Sequence, residues 1–233
     1  MNRGHSAFLV SVLACVGCVG LAGARGGEHP TQMPTLMPID EARADASLST
    51  ARDNLVDALR RNDNGALAAL ISPKLNAGTN LVDGLEWAHE DRASLLKALR
   101  FGGAFTTERG AEFGRREFCA PYAYAKYPEV KDREPWFAEV PGVILGDNVA
   151  VHDRPTQTSR VIARLRHAIV RSEGTLEGAD DRRTEWVLVG LPIDQEGYVL
   201  ASDIWKPDEY HVCFAKEGNF WLVSKISNEV LLR

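Results

Sequence analysis

Cysteine and histidine are the residues of this chain that could act as nucleophiles or metal ligands. Cys119 is followed by Ala-Pro rather than by the start of a helix, which would lower its pKa. No H-x-x-x-H spacing, no Cys/His cluster and no glycine-rich phosphate loop before a helix occurs after residue 24. The histidines after residue 24 occur singly. Those of the central and C-terminal chain are His89, His152, His167 and His211. We therefore predict a protein that is not an enzyme and that has no catalytic residues, no metal site and no cofactor.

The N-terminus has the layout of a secretory signal peptide. Arg3 gives a short cationic start, residues 7–21 are apolar or small, and residues 22–24 form an A-x-A cleavage pattern. The apolar stretch is shorter than the ~20 residues that a transmembrane helix needs, and an uncleaved anchor is the alternative. We predict a signal peptide over residues 1–24 and an exported, periplasmic protein.

A second processing site overlaps the first. The sequence Val-Leu-Ala-Cys that ends at Cys15 resembles a bacterial lipobox, in which the cysteine is lipidated after cleavage before it. Lipidation would tether the protein to a membrane, whereas cleavage after Ala24 would release it. We expect cleavage after Ala24 and keep lipidation of Cys15 as the alternative. Cys15 and Cys18 also have zinc-ligand spacing, but they lie inside the apolar segment and give no metal site.

The charge balance limits the classes of partner. The net charge is −5 at pH 7, and the apolar fraction of 45% is ordinary for a globular protein. This mild acidity argues against a nucleic-acid partner and against a polybasic membrane surface. We expect contact with a membrane only through a lipid anchor.

Two cysteines follow the signal peptide, Cys119 and Cys213, and both lie in apolar, strand-like surroundings. In an oxidising compartment an even pair is a disulfide candidate, with two separate buried thiols as the alternative. A bridge would close a loop of about 95 residues, which the chain-entropy model values at ~4–5 kcal/mol.

The segment before residue 140 predicts a flexible linker followed by a mainly helical region. Glycine and proline without periodicity predict the linker over residues 25–39. An apolar stripe predicts a helix from about 41 to 61, with Asp40 as its N-cap and a stop at Asn62. Shorter elements follow: helices over 66–71 and 91–101, the latter ended by Gly102 and Gly103, and a strand within 117–127.

From Pro141 onward, helical periodicity gives way to short β-runs separated by turns. Several short strands at this spacing are typical of a small barrel. The strand-like runs are 143–145, 149–152, 161–165, 167–170, 185–189 and 197–199.

Three pieces of this region resemble bacterial SH3-like (SH3b) domains. Residues 148–162 resemble their opening strand and the following R-x-x-P-S and V-I pattern, residues 186–189 match their W-x-x-V strand, and residues 197–204 resemble their closing G-W-V motif. The chain departs from the pattern at His152-Asp153, at Tyr198 where tryptophan is usual, and in a long polar insert over 172–184. The resemblance covers residues 142–207 and implies an SH3-like β-barrel over 140–207.

A β-hairpin is predicted after this barrel, with strands over 210–215 and 220–226. A small barrel does not need it, so we infer that the hairpin packs back on the N-terminal segment. The predicted fold class is then α+β. A domain of residues 40–139 is completed by residues 208–233, and the Cys119–Cys213 bridge links these two parts. The barrel is an insertion in this domain.

The barrel region contains three candidate ligand-binding aromatic residues, Trp186, Tyr198 and Trp205. SH3 domains hold extended peptides in aromatic-lined grooves, although such residues also serve as core. The resemblance implies a non-enzymatic protein that binds a cell-wall peptide or an envelope protein. The alternatives are a cell-wall hydrolase with its site in the N-terminal domain and a structural or inhibitory envelope protein.

Overall fold

The computed structural model describes residues 33–73, 89–106, 116–127, 141–193 and 195–228. The predicted signal peptide, including Cys15, lies outside these residues. The described chain is a mixed α+β protein with two antiparallel sheets, which confirms the predicted fold class at this level. No helix within the described ranges is long and apolar enough to span a membrane.

The helices are α1 (Ala46–Arg61), α2 (Asn64–Leu70), α3 (His89–Arg100) and α4 (Tyr122–Lys126), with 3-10 turns at Glu41–Ala44 and Ala201–Asp203. The strands are β1 (Ala104–Phe105), β2 (Phe118–Ala120), β3 (Pro141–Ile144), β4 (Val149–His152), β5 (Val161–Leu165), β6 (Ile169–Glu177), β7 (Glu185–Leu191), β8 (Gln195–Leu200), β9 (Ile204–Trp205), β10 (His211–Glu217) and β11 (Phe220–Ser227).

Helix α1 begins one turn later than its apolar stripe predicts. The Asp45 side chain accepts hydrogen bonds from the backbone N–H groups of Ser47 and Leu48, at 2.9 and 3.1 Å, so Asp45 is the N-cap. The predicted cap, Asp40, instead precedes the 3-10 turn and pairs with the Arg52 guanidinium at 2.7 Å. The polar residues at 40 and 45 both satisfy the N-cap signal, and the 3-10 turn between them decides which one caps α1.

Residues in the left-handed conformation follow both long helices. Asn62 has φ 59° after α1, and Gly102 has φ 67° after α3. A Cβ atom at Gly102 would lie 2.7 Å from the carbonyl oxygen of Ile39, so glycine is required there both for the backbone angle and for the close approach. Both helix stops agree with the prediction.

The first sheet has the strand order β1-β2-β10-β11. The C-terminal hairpin β10–β11 therefore joins β2, with Val212 opposite Ala120, Cys213 opposite Cys119 and Phe214 opposite Phe118. Helices α1, α2 and α3 cover one face of this sheet. Their shared core includes Leu48, Leu55, Leu67, Leu95, Phe118, Phe214 and Val223.

The second sheet has the order β5-β4-β8-β7-β6-β3-β9 and does not close into a barrel within the described residues. Strands from both ends of this order contribute to one core, in which Leu165 comes from β5 and Ile204 from β9. The sheet therefore curls around a single apolar core while its two end strands stay unpaired with each other.

About half of the polar insert predicted over residues 172–184 is part of this sheet. Strand β6 continues to Glu177 and pairs with β7 as far as Glu185, with a register shift between Ser172 and Thr175. The end of β6 has exposed side chains, and backbone pairing with β7 is what includes it in the sheet. Such a strand carries no hydrophobic signal in the sequence.

Part of the predicted linker lies between the two sheets. The Leu36 N–H group donates to the His167 carbonyl, and the Ile169 N–H group donates to the Pro34 carbonyl, both at 2.8 Å. The Tyr122 hydroxyl donates to the Leu36 carbonyl at 3.1 Å. Residues 33–36 thus contact both the second sheet and helix α4.

A third core joins the two sheets. Cys119 of β2 and Tyr122 of α4 pack in one cluster with Val143, Ile169 and Trp205 of the second sheet. The two sheets are therefore held together by a shared apolar interface, and a ligand site at their junction would have fixed walls.

Candidate functional site

A cleft of about 800 Å³ lies at the junction of the helical layer and the second sheet. This volume is within the range of small-molecule and peptide-sized sites. One wall comes from α1 and α3, and the other from β6, β7 and the connection between β9 and β10. The lining includes Val56, Arg60, Leu96, Lys97 and Arg100 on the first wall, and Thr175, Glu185, Trp205, Asp208, Glu209 and Tyr210 on the second.

Hydrogen bonds of Lys97 connect the two walls of the cleft. Its Nζ atom donates to the carbonyl oxygens of Ala201 and Ile204, at 2.7 and 2.8 Å, and to Oε2 of Glu209 at 2.6 Å. Burial raises the pKa of Glu209, and the charge of Lys97 opposes that shift. Because all three ammonium protons of Lys97 have acceptors, Lys97 has no donor left for a ligand.

Two arginines and one glutamate leave uncompensated charge around the cleft. Arg60 and Arg100 are exposed on the helical wall, and no carboxylate in the described part of the chain is within ion-pair distance of either. The Arg100 guanidinium lies 5.2 Å from the ring centroid of Phe101. On the opposite wall Glu185 is exposed and likewise has no cationic partner among the residues described.

The structure places the three sequence-predicted aromatic residues in different surroundings. Trp186 is fully buried, and the ring of His152 meets it edge-on with the centroids 5.2 Å apart. Tyr198 is partly buried on β8, opposite Leu188 of β7 and His152 of β4. Of the three, Trp205 is the one that lines the cleft.

Trp205 is itself mostly enclosed, with 3% of its surface exposed. Tyr124 and Tyr127 of the α4 region pack against it edge-on, with ring centroids 6.5 and 6.0 Å away. Its contact with a ligand would therefore be confined to the edge of the ring that borders the cleft.

His211 lies beside this aromatic group and was not predicted as a site residue. Its ring stacks on that of Tyr124 with the centroids 3.6 Å apart and the planes 10° from parallel. Neither ring nitrogen has a hydrogen-bond partner of good geometry among the described residues. Burial, followed by the charge of Lys225, lowers the pKa of His211 to about 3, and the backbone of Glu209 opposes this shift. The imidazole is therefore neutral and acts as an aromatic packing group at neutral pH.

The predicted disulfide between Cys119 and Cys213 is confirmed. The two cysteines are direct partners on neighbouring strands, and the carboxylate of Glu117 lies within 4.8 Å of both sulfur atoms. Because each sulfur is bonded to the other, neither is a thiolate that could attack a substrate or ligate a metal.

Sequence reasoning did not select Arg60, Lys97, Arg100 or Glu209. The three basic residues stand in the last turns of helices, where the helix dipole alone favours cations. These residues differ from other charged helix residues in lying on helix faces that the β-region covers. That difference depends on the tertiary arrangement.

The chain matches no family model, and comparisons with curated proteins and with solved structures returned no match.

Proposed function

We propose that this chain is an exported, non-enzymatic binding protein of the cell envelope that holds a peptide-like ligand between its helical layer and its second sheet. The observation that carries the proposal is the cleft of about 800 Å³, which combines apolar walls with a few exposed charges. Sites of this size and lining accommodate small molecules and short peptides. The ligand is then a cell-wall peptide or a segment of an envelope protein.

The positions of the three SH3-like sequence pieces support an SH3-like unit in the second half of the chain. The opening, central and closing pieces lie on β4, β7 and β8, which are neighbours in one sheet. Tyr198 of the closing piece pairs with both His152 and Leu188. The curling of the sheet around one core is a further point of agreement.

The burial of two aromatic residues favours the cleft over an aromatic groove on the second sheet. Trp186 is inaccessible and Trp205 borders the cleft, so Tyr198 is the one predicted binding residue left on the outer surface of the second sheet. A single half-buried tyrosine offers little area for holding an extended peptide.

Export is supported by the sequence of residues 1–24 and by the Cys119–Cys213 bridge, because disulfides persist in oxidising compartments. The proposed location is the periplasm, with Cys15 as the possible point of membrane attachment. We propose neither a cofactor nor a nucleic-acid partner.

A structural or inhibitory role is the second candidate, and one observation favours it. Trp205, expected to contact a ligand, packs between the two sheets against Tyr124 and Tyr127. In this role the second sheet would serve to complete its own host domain, and the cleft would stay empty.

The test is a pull-down of residues 25–233 on purified bacterial cell wall, with an assay for soluble muropeptides. Retention without release supports the binding proposal. Release of fragments would contradict the non-enzymatic assignment and favour the hydrolase alternative. A protein that is neither retained nor active would exclude cell-wall peptide as the ligand and favour an envelope protein or the structural role.

A further inference from the structure

We infer that the ligand of the cleft carries a free carboxylate and that Arg60 and Arg100 bind it. This inference rests on the proposed function, since it names the chemistry of the ligand in the same cleft. The charged side chains that line the cleft differ in whether they already have partners.

Two of the four cationic side chains that line the cleft already have hydrogen-bond or ion-pair partners. Lys97 is 2.6 Å from Glu209 and also donates to two backbone carbonyls. Lys206 is 3.8 Å from Asp208. Neither lysine is therefore a good candidate for an incoming anion.

Arg60 and Arg100 are the other two cations. They stand in the last turns of α1 and α3, two helices that pack against each other, and both line the same cleft. The helix dipole accounts for a cation at each helix end. It does not account for two guanidinium groups on one cleft wall without a carboxylate from the described residues.

A guanidinium presents a planar set of donors that matches a carboxylate in a bidentate arrangement. Two such groups on one wall favour an anionic end of the ligand at that wall. Between the charged positions the cleft is bounded by Val56, Leu96 and Tyr210, which provide apolar contact for a short chain.

The charge on the opposite wall indicates how the ligand is oriented in the cleft. Glu185 is exposed there without a cationic partner within the described chain, so an ammonium group fits at that side. A ligand with a carboxylate near one end and an amine along its chain matches both walls. Short peptides with a free C-terminus and a lysine-type side chain have this chemistry.

The experiment compares two synthetic probes by isothermal titration calorimetry. One is the tetrapeptide L-Ala-γ-D-isoGln-L-Lys-D-Ala, in which the C-terminus is the one free carboxylate, and the other is its C-terminal amide. The proteins are the wild type, the variants Arg60→Gln and Arg100→Gln, and the double variant. Arg182→Gln is the matched control, because Arg182 is an exposed arginine outside the cleft lining.

The free acid should bind the wild type about tenfold or more tightly than the amide, as expected for loss of a charge-assisted contact. Each single variant should reduce this preference, the double variant should abolish it, and Arg182→Gln should retain it. Equal unfolding midpoints in urea would show that the variants are folded.

Two other results have distinct meanings. Equal affinity for both probes, unchanged in the arginine variants, would overturn the carboxylate inference and leave peptide binding intact. Absence of binding by either probe to the wild type would overturn this inference together with cell-wall peptide as the proposed ligand.

Discussion

The buried imidazole of His211 makes the stability of this protein depend on pH. Its pKa is about 3 in the folded chain, mainly through burial, whereas an unfolded histidine has a pKa of about 6.5. Between these values the unfolded state binds a proton that the folded state does not. The free energy of unfolding therefore falls as the pH falls from about 6.5 towards 3. The charge of Lys225 on the neighbouring strand β11 adds to the shift.

Replacing His211 by phenylalanine should flatten this pH dependence. Phenylalanine keeps an aromatic ring against Tyr124 but cannot be protonated. We expect the wild type to lose about 1.4 kcal/mol more than the variant for each pH unit between pH 6 and pH 4.5. Urea unfolding at several pH values measures the difference. Equal slopes for the two proteins would contradict a neutral, buried His211.

The ion pair between Lys97 and Glu209 is a second prediction at the residue scale. Both side chains are about four-fifths buried, at 22% and 23% exposure, and they lie 2.6 Å apart. Lys97→Met should leave a buried, unpaired carboxylate and cost about 3 kcal/mol or more. The double variant Lys97→Met with Glu209→Leu should recover part of this loss, because no charge remains unpaired.

Urea denaturation of the wild type, the single variant and the double variant decides this point. If the double variant is no more stable than Lys97→Met alone, the two backbone carbonyls that Lys97 contacts, and not Glu209, account for its role.

At the scale of elements, the C-terminal hairpin joins a strand that lies about 90 residues earlier in the chain. The Cys119–Cys213 bridge spans a sequence separation of 94 between β2 and β10. In the chain-entropy model a loop of this length contributes ~4–5 kcal/mol by restricting the unfolded chain. The bridge therefore fixes a contact that would otherwise be costly to form.

The double variant Cys119→Ala with Cys213→Ala should lower the free energy of unfolding by about 4 kcal/mol. Both residues are buried, so removal of the sulfur atoms adds a small packing loss. Urea unfolding under oxidising conditions measures the change, and reduced wild type is the matched comparison. A loss below about 1 kcal/mol would mean that the pairing of β2 with β10 needs no covalent support.

Some elements could be predicted from the sequence because their signal is local. The stripe of Leu48, Leu55 and Leu59 identified α1, and short apolar runs bounded by turns identified β4 and β7. The end of β6 could not be predicted, because its side chains face solvent and it becomes a strand by pairing with β7. Helix α4 was also missed, since buried tyrosines and alanines over Tyr122–Lys126 fit a strand as well as a helix.

At the scale of the whole molecule, the cleft could not be predicted, although its residues were all visible in the sequence. Arg60, Arg100, Glu185 and Trp205 lie in separate segments, and the packing of the helical layer against the second sheet brings them together. Trp205 was selected for its aromatic character, but the sequence could not show that α4 would cover most of its surface. The Cys119–Cys213 pair was predictable because only two cysteines follow the signal peptide.

We propose that the ligand lies in the cleft and not on the outer surface of the second sheet. Ala93 is an exposed residue of α3 that lines the cleft, and tryptophan in its place would fill part of the space. Ala46, exposed at the start of α1 and outside the lining, is the matched control. Tyr198→Ala tests the surface of the second sheet.

The most direct measurement is the binding of soluble muropeptides to these three variants by calorimetry. We predict that Ala93→Trp weakens binding about tenfold or more, while Ala46→Trp and Tyr198→Ala bind as the wild type does. Loss of binding in Tyr198→Ala, with the protein still folded and Ala93→Trp unaffected, would contradict this account and place the ligand on the second sheet.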